Sequence, residues 1–387
     1  MALTLITAGE SHGPGLTCIV DGLPAGLELD REGINLDMQR RQLGHGRGGR
    51  MKIEKDGAEV TSGVRHGKTL GSAISLLVAN RDYKNWEERM NPWPVEADVP
   101  EVHLPRPGHA DLVGAWKYGQ TDIRNILERA SARETAARVA GGALCKAYLA
   151  ALGIQIRSHV VQIGSVKAPE PDVLGLSDFE GIDDDPVRCL DKAASKEMVA
   201  HINKQRKANE SIGGVFEVVA FGVLPGLGSH VSWETRLDGR LAMAICSIQA
   251  VKGVSIGDAW DVAGRPGSQA HDEIFYEDDH YARHTNRSGG LEGGMTTGDP
   301  LLVRGAMKPL PTLTKPLQSV DISTHEPAQA LRERTDSCTV PAAGVVGEAM
   351  VAHVLASACI EKFGGDHIDD ARAAVAAYRA RIGWPAS

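Results

Sequence analysis

Apolar and polar positions along the chain follow two periods. From Ser131 to Leu152 the run SARETAARVAGGALCKAYLAAL sets apolar residues at helical spacing behind a serine, with Glu134 three positions on. That predicts a capped, mostly buried helix over 131–152. Pro341–Phe363 reads as a second apolar helix stopping at Gly364-Gly365, and its small residues would let neighbouring helices approach closely. Strand patterns bounded by turn residues occupy Leu16–Gly22, Ser72–Ala79 and Val215–Gly222. A further helix is expected around Lys196–Lys207, and an alanine- and arginine-rich helical tail after Asp369. The proline-bearing stretch from Lys167 to Lys192, with the acidic run Asp183-Asp184-Asp185, reads as a surface excursion.

Two strand patterns resemble each other. CIVDGLPAGL, starting at Cys18, and VVAFGVLPGL, starting at Val218, share the order strand, glycine, proline, glycine, and the two long helices stand about as far apart. This hints at an internal duplication within one domain spanning 1–387, with halves near 1–160 and 205–365 and a tail over 366–387.

Composition narrows the class. In 387 residues, 42% hydrophobic and 24% charged, a substantial core can be buried, and 44 glycines against 4% aromatics favour close backbone approach over aromatic packing. A net charge of -8 argues against a general nucleic-acid binder, so any anion site must be a local cluster. The six cysteines form no CxxC pair, which fits a reducing cytoplasm better than a disulfide scaffold or zinc knuckle. Neither a secretion signal nor an uninterrupted membrane-length apolar run is read, so no membrane partner is expected.

Several turns carry possible chemistry. Gly9-Glu10-Ser11-His12-Gly13-Pro14-Gly15 presents a serine and a histidine between glycines, and Arg106-Pro107-Gly108-His109-Ala110-Asp111 holds a second histidine between a guanidinium and a carboxylate. Each is open to a plain loop reading or to proton transfer beside an anion. No third ligand at helical spacing supports a metal. Arg40, Arg41, Arg47 and Arg50 crowd into RRQLGHGRGGR, where repulsion calls for an offsetting anion unless the loop is simply solvated. Arg129 and Arg133 flank the predicted helix start, where N–H groups favour an anion. Ser288–Gly298 is glycine-rich, and Arg334-Thr335-Asp336 precedes the second long helix.

In this order, GESHG, RRQLGHGRGGRM, LPRPGHAD, ERASARETAARVAGG, QAVKGVSIGD, GGLEGGMTTGDP, MKPLPT and RTDSCTVPAAGVV resemble the chorismate synthase family from the first strand to about Asp366, with no departure at a catalytic position. The resemblance implies an α+β fold, a β-α-β sandwich with a helical core between antiparallel sheets, assembled as a homotetramer. It also implies a reduced-FMN-dependent 1,4-elimination of phosphate from 5-enolpyruvylshikimate 3-phosphate, giving chorismate. By the same resemblance, His12, His109 and Asp336 are catalytic, and Ser11, Arg41, Arg47, Arg106, Arg133 and Arg334 bind substrate. FMN falls to Arg129, Ala130, Ser131, Gln249, Ala250, Gly293, Lys308, Pro309, Leu310, Pro311, Thr312 and Arg334. NADPH is a possible reductant at the Arg41/Arg47 loop, and a separate flavin reductase a possible partner. Competing readings are a flavin oxidoreductase acting on another anion, and an Arg/Gly anion- or nucleic-acid-binding module.

Overall fold

Alternating burial sorts the main strands into two antiparallel sheets. The computed structural model describes residues 2–48, 55–171, 173–277, 279–333 and 336–385. β1 (Thr4–Ala8), β2 (Gly15–Asp21), β3 (Glu59–Ser62) and β4 (Ile74–Ala79) form the first sheet in the order β1–β2–β4–β3. β5 (Gln155–Ile163), β6 (Val166–Lys167), β7 (Gly214–Phe221), β8 (Val251–Ile256) and β9 (Leu301–Met307) form the second in the order β8–β9–β7–β5–β6. Leu16, Cys18, Val20, Leu76 and Val78 turn one face of the first sheet inward, and Phe216, Val218 and Val303 do so for the second.

The helices that matter for the site are α1 (Arg31–Gln42), α2 (Asp111–Tyr118), α3 (Arg124–Ala130), α4 (Thr135–Ala151), α5 (Lys192–Lys207), α6 (Leu237–Cys246), α7 (Val340–Phe363) and α8 (Ile368–Ile382). α4 packs on the first sheet and on α7, and α7 on the second sheet, so a helical layer lies between two sheets as expected. The approach is close because there is no side chain at Gly142: a Cβ there would sit 2.3 Å from that of Ala349. α7 is long and apolar enough to cross a membrane, yet 89% of its most apolar window is buried inside the molecule.

Both sheets share a topology. Leaving aside the two-residue β6 at the edge of the second sheet, the strands of each run first–second–fourth–third, with a helix after the second strand (α1, α6) and a long helix after the fourth (α4, α7). The turns after β2 and β7 match bond for bond. Thr69 Oγ1 donates to the Pro24 carbonyl and accepts from Leu27 N–H, and Thr296 Oγ1 does the same with Leu224 and Leu227. β5, at Gln155–Ile163, already pairs within the second sheet.

A charge cluster crosses the helical layer. Glu348 of α7, fully buried, accepts from Arg40, Lys146, Arg188 and Ser158, while Asp37 takes Arg40 and Lys146. This corrects the surface reading of 167–192. Asp183 binds Arg40, Arg188 reaches the centre, and Val187 and Cys189 are fully buried. The acidic run looked like solvated surface because Arg40, which draws Asp183 toward the helical layer, stands 143 positions away.

Candidate active site

The loop after β1 places His12 against α3. Both oxygens of Glu128 lie at 2.9 and 3.0 Å from His12 Nδ1, and Glu128 Oε2 also accepts the His12 backbone N–H at 2.8 Å. A carboxylate only accepts, so Nδ1 carries the hydrogen and Nε2 is the nitrogen left for exchange. Trp86 stacks on the ring at 4.0 Å, and Ser11 N–H donates to the Glu128 carbonyl. Burial alone would raise the Glu128 pKa, but bonds from His12 and the charge of Arg124 hold it below the ordinary carboxylate range.

His109 repeats the arrangement at the start of α2. Its Nδ1 donates to Asp111 at 2.5 Å, and Asp111 also accepts from Arg106 Nε at 2.9 Å, which together keep that buried carboxyl well below its ordinary value against the pull of desolvation. Ion pairs join the two histidines. Arg106 reaches Glu333 at 3.3 Å, Glu333 lies 3.9 Å from Arg124, and Arg124 binds Glu128 at 2.9 Å.

Arg41 and Arg133 share one carboxylate. Asp56, its side chain fully buried, takes Arg133 at 2.6 Å and Arg41 at 3.2 Å. Arg41 also donates to Thr135 Oγ1 and the Ala132 carbonyl. Complete burial, opposed by Asp56 and abetted by Arg133 and Arg47, pushes Arg41 down to about 9. Arg133 continues to Asn80, whose amide donates to the carbonyls of Glu10 and Gly13 and so ties the guanidinium to the His12 turn. Arg47 pairs with Asp336 at 3.1 Å, and Asp336 accepts Gly48 N–H. Arg41 and Arg47 are therefore offset inside the protein, Arg40 belongs to the structural cluster of the helical layer, and Arg50 falls outside the described residues.

Arg129 and Arg133 do not stack along one helix. α3 ends at Ala130, Ser131 caps a 3-10 turn over Ala132–Glu134, and only then does α4 begin. Arg129 instead donates to Thr7 and the Gly9 carbonyl. Glu134 accepts from Thr7, Arg138 and Gln249, and a cavity of about 300 Å³ lies between Thr7, Arg129, Glu134, Gln249 and His353. Ala250 holds a left-handed backbone (φ 68°), uncommon without glycine, and its carbonyl accepts Lys308 N–H.

From Lys308 the strap Pro309-Leu310-Pro311-Thr312 runs beside the His109 turn, with Lys308 Nζ on the Gly108 carbonyl and Thr312 Oγ1 on Arg106. Burial and the charge of Lys252 lower the Lys308 pKa, and no carboxylate pairs with either lysine among the described residues. Gly293 does not join this group. It lies in the hairpin beside the Leu301 end of β9, roughly 20 Å of strand from Lys308. Arg334 falls outside the described residues.

Asp56, Asn80, Trp86 and Glu333 were not picked out from the sequence because their partners lie far along the chain, and Arg124 and Glu128, although an i,i+4 pair, were not given a role because the link from Glu128 to His12 spans 116 positions. With the geometry in place, the comparisons are direct. The family model for chorismate synthase matches residues 3–360. A chorismate synthase of Rubrobacter xylanophilus is 54% identical over 380 residues, covering 98% of this chain and 97% of its own. That of Bacillus subtilis is 53% identical over 374 residues, 95% of this chain and 96% of its own. A crystal structure of chorismate synthase superposes with a TM-score of 0.80 at 43% identity, covering 99% of this chain and 98% of that one. Two histidine–carboxylate pairs, a guanidinium cluster and a match that runs the length of both sheets thus converge, and the chain belongs to the chorismate synthase family.

Proposed function

We propose that this chain, a lyase acting on a phosphate ester, eliminates phosphate from 5-enolpyruvylshikimate 3-phosphate to give chorismate. The observation that carries the reading is the continuous network from His12 through Glu128, Arg124, Glu333, Arg106 and Asp111 to His109, adjoining the Arg41–Asp56–Arg133 cluster. A substrate with one phosphate and two carboxylates suits Arg41, Arg47, Arg106 and Arg133, each able to present paired N–H donors. Ser11 and Arg334 complete that set by family resemblance.

Reduced FMN fits the uncompensated Lys308–Lys252 pair and the strap to Thr312, with Arg129, Ala130, Ser131, Gln249 and Ala250 nearby. When bound, it lends electron density to allylic C–O cleavage and receives it back. With Nδ1–H held by Glu128, His12 in its imidazolium form gives its Nε2 proton to the departing phosphate and is left as the neutral Nδ1–H imidazole. His109, fixed through Nδ1, holds its Nε2 proton state for the flavin, and Asp336 assists hydrogen removal once Arg47 turns to substrate. Gly293 is kept as a flavin contact on resemblance. Either NADPH at the Arg41/Arg47 loop or an outside flavin reductase supplies the reducing equivalents, and a cytoplasmic location and a homotetramer complete the proposal. The two matching sheet–helix units are read as copies of one ancestral unit.

An anaerobic assay with reduced FMN and the enolpyruvyl phosphate ester tests the reading by following phosphate and product together. Equal amounts, with no net flavin oxidation, are expected. One reducing equivalent consumed per turnover would favour an oxidoreductase. His12→Ala and His109→Ala should each lower turnover by about two orders of magnitude or more with folding intact. Light scattering should give a particle near four times 41.2 kDa.

A further inference from the structure

We propose that Glu128 is a positioning residue for the reaction, acting through His12; the inference rests on the proton-transfer role given to His12 above. Glu128 grips that residue twice, with both oxygens on Nδ1 and one of them also on the backbone N–H. The carboxylate fixes which nitrogen carries the hydrogen. Trp86, stacked at 4.0 Å and 26°, covers one ring face and hinders a flip that would bring a carbon to Glu128. The side chain of Glu128 is only 2% exposed, so water does not compete for its oxygens.

Arg124 keeps the carboxylate charged from the same helix, at 2.9 Å, and itself sits 5.0 Å from the Trp86 ring centre with Arg89 at 5.6 Å. Histidine, carboxylate, guanidinium and indole therefore form one group in which Nδ1 of His12 is engaged by Glu128 and Nε2 is the ring nitrogen left for exchange. A purely structural role, stapling the His12 turn to α3, would need only one acceptor for the His12 N–H. Glu128→Gln retains such an acceptor and the shape, but it loses the charge and lets the imidazole adopt either tautomer.

A double-mutant cycle on kcat separates the two roles, using the full chain with photoreduced FMN and the enolpyruvyl phosphate ester under argon. Glu128→Gln is expected to lower kcat about 100-fold with KM changed by less than about threefold. In the His12→Ala background the same change should cost less than about twofold more, because its effect passes through the missing ring. An equal loss in both backgrounds, or a loss carried by KM alone, overturns the proposal and leaves the His12 role standing. Full activity of His12→Ala itself removes that role, and this proposal with it. Should Glu128→Gln not fold, Glu128→Asp takes its place: it keeps the charge but withdraws it from Nδ1, and the same lack of additivity is expected.

Discussion

Replacing Glu348 with glutamine unbalances the charge cluster in the helical layer. The carboxylate, fully buried, is shared by Arg40 at 2.7 and 2.8 Å, Lys146 at 2.9 Å and Arg188 at 3.3 Å, and Ser158 donates to it as well. Asp37 and Asp183 remain as the only acids among these partners, so three cations would face two carboxylates, of which Asp183 is partly exposed. Breaking a buried pair on one side costs about 3–5 kcal/mol, a large part of the roughly 5–15 kcal/mol that holds a domain together. Urea unfolding should therefore show a midpoint well below that of the parent at an unchanged slope. The pH dependence carries a sign of its own. Desolvation opposes ionisation of Glu348, but Arg40 and Lys146 hold its carboxyl far below the ordinary value. Its stabilisation is thus complete above about pH 4.3, the unfolded value, and fades as pH falls further. The variant should lose this part of the acid dependence. A loss under about 1 kcal/mol at neutral pH, or an acid profile identical to the parent's, would refute the account of the cluster.

Four further outcomes are expected. Gly142→Ala puts a methyl 2.3 Å from Ala349 Cβ and 2.6 Å from its Cα, so a thermal melt should show about 1–3 kcal/mol of destabilisation. Asp56→Asn leaves Arg41 and Arg133 facing each other without their shared charge, and steady-state kinetics should show KM raised about tenfold with a smaller fall in kcat. Asp111→Asn releases His109 Nδ1, and kcat should fall at least about tenfold. Glu128, Glu134 and Glu217 all have pKa values lowered against desolvation by their partners, so unfolding monitored by circular dichroism should grow easier below about pH 4.3 and show no such trend near neutrality.

Periodic segments were legible in the sequence where their burial is one-sided or complete. The helix expected over 341–363 is α7 at Val340–Phe363, and the strand at Leu16–Gly22 is β2 at Gly15–Asp21. The paired turns at Gly22–Leu27 and Gly222–Leu227 showed themselves because each needs glycine at positive φ in the same two places. What escaped was long-range charge pairing. RRQLGHGRGGR looked like an unanswered positive loop, yet Arg40 is answered by Glu348 and Asp183, and Arg41 by Asp56. Ser131 looked like the cap of one continuous helix; it does cap, accepting Arg133 N–H, but a 3-10 turn over Ala132–Glu134 precedes α4 at Thr135. The histidine turns were visible as motifs. Glu128, standing 116 positions from His12, was not visible as a partner.

A binding site whose guanidiniums are already paired with carboxylates behaves unlike an open positive cup. If the proposed trianion binds here, Asp56, Asp336 and Asp111 would hand over part of their hydrogen bonds, and recognition would be an exchange of anions within a fixed lattice of donors. Few mobile counterions are displaced in such a swap, and affinity should depend on salt far less steeply than four arginines in free solution would suggest. Phosphorylated bystanders that lack the right spacing of oxygens would have to break these internal bonds without replacing them. Selectivity is thereby built into the resting charge balance of the molecule, before any ligand enters.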